Sequence, residues 1–408
     1  MVDIINEFSG ASQEVQRLRT ARPQAQDNAQ LSFTALLEPE DPGTFSYAER
    51  YAIAAFTAAI NHAPAAEFYF DLLSDEASEP LVAAVRAAAR RGASTGPYQD
   101  ADFLVFGENA AGEAKDSEGA LGKRLSAACD WAHLLTFHPK DASPQALGHL
   151  DAAGWSATDI VSLSQLVSFL AFQLRVAHGL SVLSGQVPTV SEARRATGGV
   201  QPDWEATENT LQPDGVIPDH FVNHSLGWLP WVAPLPKEDF TPAHMDALIK
   251  PERIDSEYFR VLARDPAALK ARTLTDLDIF YNTEGGLSRA DRELAATVVS
   301  RFNGCVYCAS VHQARCVKEG GEREIVDRLL AEGITADLGS LEWDLIRRAA
   351  LALTSSPISF DAKLCAELRD SGFDDQSIVD IIYASSFFNW ANRLMLTLGQ
   401  ANVPERYR

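Results

Sequence analysis

The chain has 408 residues, of which 46% are hydrophobic and 22% are charged, as in an ordinary globular protein. Its net charge of −21 argues against nucleic acid or an anionic membrane as a partner. Because 408 residues exceed what one hydrophobic core usually serves, we expect two domains.

The sequence predicts neither a secretory leader nor a membrane span. Residues 1–8 lack a basic region followed by an apolar one, and no apolar run approaches about eighteen residues. Five cysteines are an odd number, which does not fit a secreted disulfide framework. We therefore expect a cytoplasmic protein with one reactive cysteine pair.

Apolar residues recur at three- and four-residue spacing through most of the chain, which predicts helices. In the first half the predicted helices span 48–60, 80–91, 122–135 and 157–183. In the second half they span 288–302, 305–319, 322–331, 340–354, 361–371 and 374–398. Strand-like segments such as 103–106 are isolated, so the predicted fold class is all-α.

The two halves of the sequence align with each other, which predicts an internal duplication. Residues 45–50 align with 287–292 at an offset of 242, and residues 132–180 align with 350–398 at an offset of 218. The offsets differ because the first half is longer between the two blocks. The polar stretch 92–118 is the predicted insertion, an exposed loop.

A group of four polar residues in the second half indicates chemistry: Glu293, Cys305, Cys308 and His312. If a helix begins near Cys305, then Cys308 lies one turn further on, and His312 is on the same face at i+4. A nearby imidazole favours the thiolate and can transfer a proton. Two cysteines at this spacing can also close a disulfide, so the pattern predicts a dithiol redox centre.

The aligned positions of the first half carry none of these groups. They hold Tyr51, Ala63, Ala66 and Phe70, which are apolar or aromatic. We therefore predict a degenerate, structural domain at 1–195, a linker at 196–214 and a catalytic domain at 215–408. Both domains are expected to share one helical architecture.

The motif Glu-x11-Cys-x2-Cys-x3-His, placed after residues 287–292, resembles the alkylhydroperoxidase D-like family. That family shares its fold with the carboxymuconolactone decarboxylases. Residues 387–393 look like the subgroup called peroxidase-related proteins. The best-known member has a histidine directly before its second cysteine, where this chain has Tyr307. The resemblance implies two tandem helical domains of this fold.

The resemblance also implies a thiol cycle that needs neither a cofactor nor a metal. One thiolate attacks an organic hydroperoxide, the second thiol closes a disulfide, and an external dithiol such as a thioredoxin-like or lipoyl protein resets it. We assign attack to Cys308 because His312 is its i+4 neighbour, resolution to Cys305, and proton relay to Glu293. The reverse order stays open, because a cysteine nearer a helix N-terminus is often more acidic.

Other interpretations stay open at this point. The two cysteines and His312 could hold structural zinc, with Cys316 as a fourth ligand. The protein could be a decarboxylase-like lyase of the same fold, a non-enzymatic redox sensor, or a chain with ordinary buried cysteines. A homodimer is also compatible with the sequence.

Several further residues are predicted to have structural roles. Arg175 and Arg393 align with each other and are expected to make equivalent salt bridges. The residues expected to serve core packing or an interface are Cys129, Cys316, Cys365, Phe387, Phe388 and Trp390. Trp228 and Trp231 are expected to dock the catalytic domain against a neighbour.

Overall fold

The computed structural model describes residues 3–92, 115–186 and 206–408. The predicted strand at 103–106, most of the predicted insertion and the linker up to residue 205 lie outside the described residues.

The described residues fold into helices and one small sheet. The first half contributes α1 (Ile4–Ser9), α2 (Gln13–Leu18), α3 (Pro23–Leu37), α4 (Tyr47–Ile60), α5 (Ala66–Glu76), α6 (Glu79–Gly92), α7 (Lys115–Phe137), α8 (Pro144–Ala152) and α9 (Ala157–Leu183). The second half contributes β1 (Gly227–Pro230), α10 (Pro242–Ala247), α11 (Glu257–Leu262), α12 (Pro266–Tyr281), α13 (Arg289–Phe302), α14 (Val306–Lys318), α15 (Arg323–Glu332), α16 (Leu341–Thr354), α17 (Ala362–Asp370), α18 (Asp375–Thr397) and β2 (Gly399–Asn402). Strands β1 and β2 pair antiparallel. The predicted all-α class is confirmed.

Helix starts follow local capping chemistry. Ser156 and Ser288 each accept a hydrogen bond from the backbone three residues on, and Asp374 does the same. The predicted helix 122–135 is the regular part of α7, which breaks at Gly122, where φ is 67°. Helices α1 to α3, α5, α8 and α10 to α12 were not predicted, because they are short or lack a regular apolar stripe.

The two longest helices that are fully regular, α9 and α18, pack against each other at the centre of the molecule. Phe172 on α9 is surrounded by aromatic rings of α18, with centroid distances of 5.7 Å to Trp390 and 6.3 Å to both Tyr383 and Phe387. At Gly179 the helices are so close that a Cβ atom would lie 2.8 Å from the side chain of Ile382. The predicted packing role of Phe387 and Trp390 therefore joins the two halves.

Helix α9 differs from the expectation that no apolar segment of the chain is long enough to span a membrane. By length and composition alone, it is apolar enough to cross a membrane. Its most apolar stretch is entirely buried within the protein. A helix that is apolar on all sides and covered on all sides is a core helix.

The helices of the two halves follow each other in the same order. α4 and α13 each have 14 residues and begin at positions 47 and 289, and α8 and α17 each have 9 residues and begin at positions 144 and 362. These starts differ by the two offsets of the sequence alignment. The duplication stays a prediction, and this correspondence supports it.

Arg175 and Arg393 do not make the predicted salt bridges. Arg175 donates to the carbonyl oxygens of Ala171 and Thr354, at 3.0 and 3.2 Å. Arg393 donates to those of Asn389 and Thr136, at 2.8 and 3.0 Å. Burial lowers the pKa of Arg175 to about 10, and no ion pair with either arginine occurs within the described ranges. Each arginine thus ties its own half to a carbonyl of the other.

Candidate active site

The two cysteines of the motif lie at the start of helix α14. Cys305 is the N-cap residue, and Cys308 is in the first turn. Both are buried, with exposed fractions of 1% and 6%, and both are free thiols. His312 follows one turn after Cys308 on the same helix, as the spacing predicts, so the three side chains share one face.

Glu293 reaches His312 from the neighbouring helix α13. Oε2 of Glu293 is 2.5 Å from Nδ1 of His312, and its Oε1 is 2.5 Å from Arg289. Burial alone would raise the pKa of Glu293, but the charges and hydrogen bonds of His312 and Arg289 outweigh it and hold the pKa below its ordinary value. The carboxylate is therefore ionised at neutral pH and fixes the orientation of the imidazole.

The two thiols differ in their surroundings. Burial raises the pKa of Cys305 well above its ordinary value, and the neighbouring sulfur of Cys308 raises it further. The amide of Asn392 has the opposite, smaller effect and lowers the pKa of Cys305. Asn392 is held in turn by Asn303 and Ser300, at 3.1 and 3.0 Å. This environment keeps Cys305 protonated.

Helix α12 covers the motif with residues that the sequence analysis did not select. Phe280 lies 5.9 Å from the ring of His312, and Phe388 on α18 approaches the same ring at 4.2 Å. The guanidinium of Arg272 lies over Phe387, 5.2 Å from its centroid. Burial raises the pKa of Asp276, which interacts electrostatically with Arg272 and His312.

Tyr258, on helix α11, is a second residue that the sequence analysis missed. Its ring packs edge-on against Trp228 at 5.2 Å. Burial raises its pKa, which the charges of Cys308 and Cys305 raise further. Neither Tyr258 nor Arg272 belongs to a recognisable motif, and their ring contacts with Trp228 and Phe387 arise from tertiary packing. One signal was available for α12: Arg272, Asp276 and Phe280 are spaced by four residues, which places them on one face of a helix.

The remaining predicted roles can also be placed. Cys129, Cys316 and Cys365 are buried, and burial raises the pKa of Cys316 to about 12. Trp228 donates to the carbonyl of Met395 at 2.9 Å, and Trp231 donates to Gln400 at 2.9 Å. The two tryptophans thus anchor their segment to the end of α18 and to β2, within the same half.

No group of three histidine, cysteine or acidic side chains is placed to hold a metal ion in the part of the chain that the structure describes. The zinc interpretation therefore gains no support from Cys316.

The aligned positions of the first half are filled by packing residues. Tyr51 and Phe70 are buried, and Arg86 lies over the ring of Phe70 at 3.8 Å. Ala63 lines a cavity of about 310 Å³ together with His62. Neither a thiol nor a carboxylate stands at these four positions.

Comparison with known proteins supports a family relationship. The model of the carboxymuconolactone decarboxylase family matches residues 266–352, from the first turn of α12 into α16. The predicted resemblance is confirmed. The matched segment contains the whole four-residue motif and Arg272, whereas Tyr258 precedes it.

A solved structure is also similar to the chain. It is the crystal structure of an uncharacterized peroxidase-related protein from Silicibacter sp. TM1040, with 25% sequence identity and a TM-score of 0.34. The match covers 43% of this chain and 90% of that one. No curated protein matches the chain.

Proposed function

We propose that the protein is a thiol-dependent peroxidase that reduces organic hydroperoxides through a disulfide between Cys305 and Cys308. The observation on which the proposal rests is the buried Glu293–His312 pair, 2.5 Å apart, on the helix face that also carries Cys308. A dithiol beside a base that is oriented by a third group is the arrangement expected of an activated cysteine nucleophile.

The hydrogen bond to Glu293 fixes which nitrogen of His312 can act as a base. A carboxylate only accepts hydrogen bonds, so Nδ1 of His312 is the protonated nitrogen. In the neutral ring Nε2 is then the unprotonated nitrogen, and it forms no hydrogen bond to any described residue. His312 can therefore take the proton of Cys308, while Cys305, with its raised pKa, stays protonated.

The proposed cycle passes through a sulfenic acid and a disulfide. The thiolate of Cys308 attacks one peroxide oxygen, the O–O bond breaks, and the leaving alkoxide takes a proton to become an alcohol. Cys308 becomes a sulfenic acid. Cys305 then attacks that sulfur, water leaves, and a disulfide forms. An external dithiol, of the thioredoxin-like or lipoyl type, reduces the disulfide by exchange. We place this cycle in the cytoplasm, where such reductants act.

The test is a thiol count on the reduced protein before and after one equivalent of tert-butyl hydroperoxide. We expect two thiols to be lost, peptide mapping to link Cys305 to Cys308, and added dithiol to restore turnover. Cys305→Ser should accumulate a sulfenic acid at Cys308 that a dimedone probe captures.

Other outcomes have defined meanings. A disulfide that forms once without turnover with any dithiol would support the redox sensor instead. A protein that loses no thiol to peroxide would contradict the proposal and leave the lyase interpretation. A sulfenic acid found at Cys305 in Cys308→Ser would reverse the two cysteine roles.

A further inference from the structure

The first half contains a cavity of about 310 Å³ that no step of the proposed peroxidase cycle uses. Its walls come from both halves of the chain: α1, the turn between α4 and α5, and α9 on one side, and Pro357 and Ile358 on the other. A cavity of about 150 Å³ is enough to hold benzene, so this one has room for a molecule of about two rings. The cavity therefore has the size of a small-molecule binding site.

Three alanines on the wall of the cavity, Ala63, Ala65 and Ala177, replace larger residues of the second half. The residues at the aligned positions are Cys305, Tyr307 and Met395. Cys305 and Met395 are buried, so larger side chains occupy the corresponding places in the second half. The cavity is thus the counterpart of the dithiol site, and the smaller side chains on its wall open it.

His62 lies just after helix α4 in a backbone conformation that favours glycine. Its φ is 54°, and the aligned residue of the second half is Gly304, with a φ of 78°. The amide of the next residue, Ala63, donates to the carbonyl of Ala58 at 3.0 Å, which closes the helix end. A residue other than glycine is strained in this conformation, and such strain is concentrated at functional sites. The first half therefore keeps an imidazole where glycine would be less strained.

The imidazole of His62 lines the cavity and is not fully paired. Its Nε2 is buried and forms no hydrogen bond to any residue within 3–92, 115–186 or 206–408. Burial also lowers the pKa of His62, so the ring is neutral at pH 7. A neutral imidazole offers one donor and one acceptor. An unpaired polar atom beside a cavity calls for a partner, which a bound molecule can supply.

The wall of the cavity favours an uncharged molecule. Among the described residues that line it, none is lysine or arginine, and the only acidic side chain, Glu7, is exposed. Nε2 of His178 donates to the carbonyl of Phe360 at 2.7 Å, and burial lowers the pKa of this ring too, so it is neutral. Ser181 donates to Gln186 at 3.0 Å, which adds a hydroxyl and an amide group to the wall. A carboxylate or phosphate would find no cation here, whereas a hydroxyl group would find donors and acceptors.

We propose that the cavity is a binding site for a small uncharged organic molecule of about two rings that carries a hydroxyl group. The molecule would bind without reacting, because the aligned cysteine positions hold Ala63 and Ala66. Its apolar body would contact Leu174 of the first half and Ile358 of the second, and its hydroxyl would hydrogen-bond to His62. Because both halves line the cavity, a bound molecule would also stabilise the folded chain.

The test uses 2-naphthol as the probe and 2-naphthoate, its ionised counterpart, as the comparison. Each compound is titrated into the reduced full-length protein at pH 7 by isothermal titration calorimetry. We expect 2-naphthol to bind at one site and to raise the urea midpoint. Because the cavity offers no cation to a carboxylate, 2-naphthoate should bind about tenfold more weakly or less well still.

Variants locate the probe in the cavity. Ala177→Met introduces the larger residue of the aligned position and fills the space, so it should weaken the binding of 2-naphthol about tenfold or more. Ala65→Tyr should do the same from the turn between α4 and α5. His62→Gly should weaken binding without lowering the urea midpoint, because it removes both the strain and the unpaired nitrogen. The matched control is Ala83→Met, at an exposed position of α6 outside the cavity, which should bind 2-naphthol like the wild type.

Three results would overturn the inference. They are no binding of 2-naphthol up to its solubility limit, binding that Ala177→Met and Ala65→Tyr both leave unchanged, and equal binding of 2-naphthoate. In the first two cases the cavity is only a space that the alanines leave, and in the third it does not select an uncharged molecule. Binding is measured without peroxide, so this result and that of the peroxidase test are independent of each other.

Discussion

The aligned sites of the two halves differ in chemistry, while the frame of helices around them follows the same order. In α13 and α14, Glu293 holds His312 beside Cys308. At the aligned positions of α4 and α5, the rings of Tyr51 and Phe70 are buried in packing contacts. The frame therefore does not require the polar residues. Their presence in one half is what marks that half as the candidate for catalysis.

The frame itself has a role that both halves share. Arg175 donates to the carbonyl of Thr354, and Arg393 donates to that of Thr136, so aligned arginines reach aligned carbonyls across the interface. An exchange of equivalent contacts is what a two-fold related pair produces. The first half thus covers α18 and accepts hydrogen bonds from its buried Arg393 and Trp390.

The largest difference between the halves should come from replacing the sulfur atom of Cys308. Cys308→Ser replaces the proposed attacking thiol by a hydroxyl that cannot be oxidised by peroxide, so peroxide-dependent turnover should be lost entirely. Ala66→Ser introduces the same hydroxyl at the aligned position of the first half and should keep full turnover. A coupled assay with dithiol and tert-butyl hydroperoxide measures both. Loss of turnover in a folded Ala66→Ser variant would show that the first half takes part in the chemistry.

The second comparison contrasts His312 with Phe70. His312→Ala removes the proposed base and should slow single-turnover thiol oxidation by about 10²–10⁴-fold. Phe70→Ala should leave that rate unchanged but lower the free energy of unfolding by about 3–5 kcal/mol, because it empties a site that is only 2% exposed.

Urea unfolding of both variants measures the free energy of unfolding, and stopped-flow oxidation measures the rate of thiol oxidation. If both variants lose rate and stability in the same proportion, then His312 and Phe70 do not divide catalysis and packing between the two halves.

The third comparison uses pH. The folded-state pKa of Glu293 lies below its ordinary value, so the carboxylate stabilises the fold at neutral pH, and that stability is lost as pH falls through the folded pKa. Glu293→Gln should cost about 3 kcal/mol at pH 7, because it leaves Arg289 without its buried partner. The difference in the free energy of unfolding between variant and wild type should shrink below about pH 4.

The first half supplies the control for that measurement. Tyr51→Phe, at the position aligned with Glu293, removes no carboxylate, so its effect on the free energy of unfolding should be the same at pH 7 and pH 4. Urea titrations at several pH values test both. A gap for Glu293→Gln that stays constant down to pH 3 would contradict the assigned ion pair.

Sequence reasoning succeeded where the signal is local. The bounds of α9 follow from a serine N-cap and an unbroken apolar stretch, and they are predicted to the residue. The meeting of Cys308 and His312 on one face follows from helix geometry alone. Glu293 could be added because its helix directly precedes α14 in the chain.

The remainder depends on packing that leaves no pattern in the sequence. Phe280 reaches His312 from α12 through a tertiary contact, and short helices such as α11 lack a periodic stripe. Alignment showed that Arg175 and Arg393 are equivalent, but it could not name their partners. Those partners are backbone carbonyls, which every residue has, so the expected salt bridges were wrong.

The smallest expected effect is a difference in stability between variants of two aligned threonines, one in each half. Thr136 and Thr354 are aligned, and each hydroxyl donates to the carbonyl four residues earlier, at 2.7 Å. In the second half the amide of Asn389 also donates to the hydroxyl of Thr354 at 3.0 Å, whereas Ala171 occupies the aligned position in the first half.

Thr136→Val should therefore lower the free energy of unfolding by about 1 kcal/mol, and Thr354→Val by about 1 kcal/mol more, because it also leaves a buried amide with one partner fewer. Replacing Asn389 by alanine, as at position 171, should reduce that difference, since the extra bond is then absent in both halves. Urea unfolding of the two valine variants, each with and without Asn389→Ala, forms a double-mutant cycle. Equal costs for the two threonines in the presence of Asn389 would mean that this amide adds nothing to the frame. The donation of Arg393 on α18 to the carbonyl of Thr136 would then carry the contact between the halves without help from that amide.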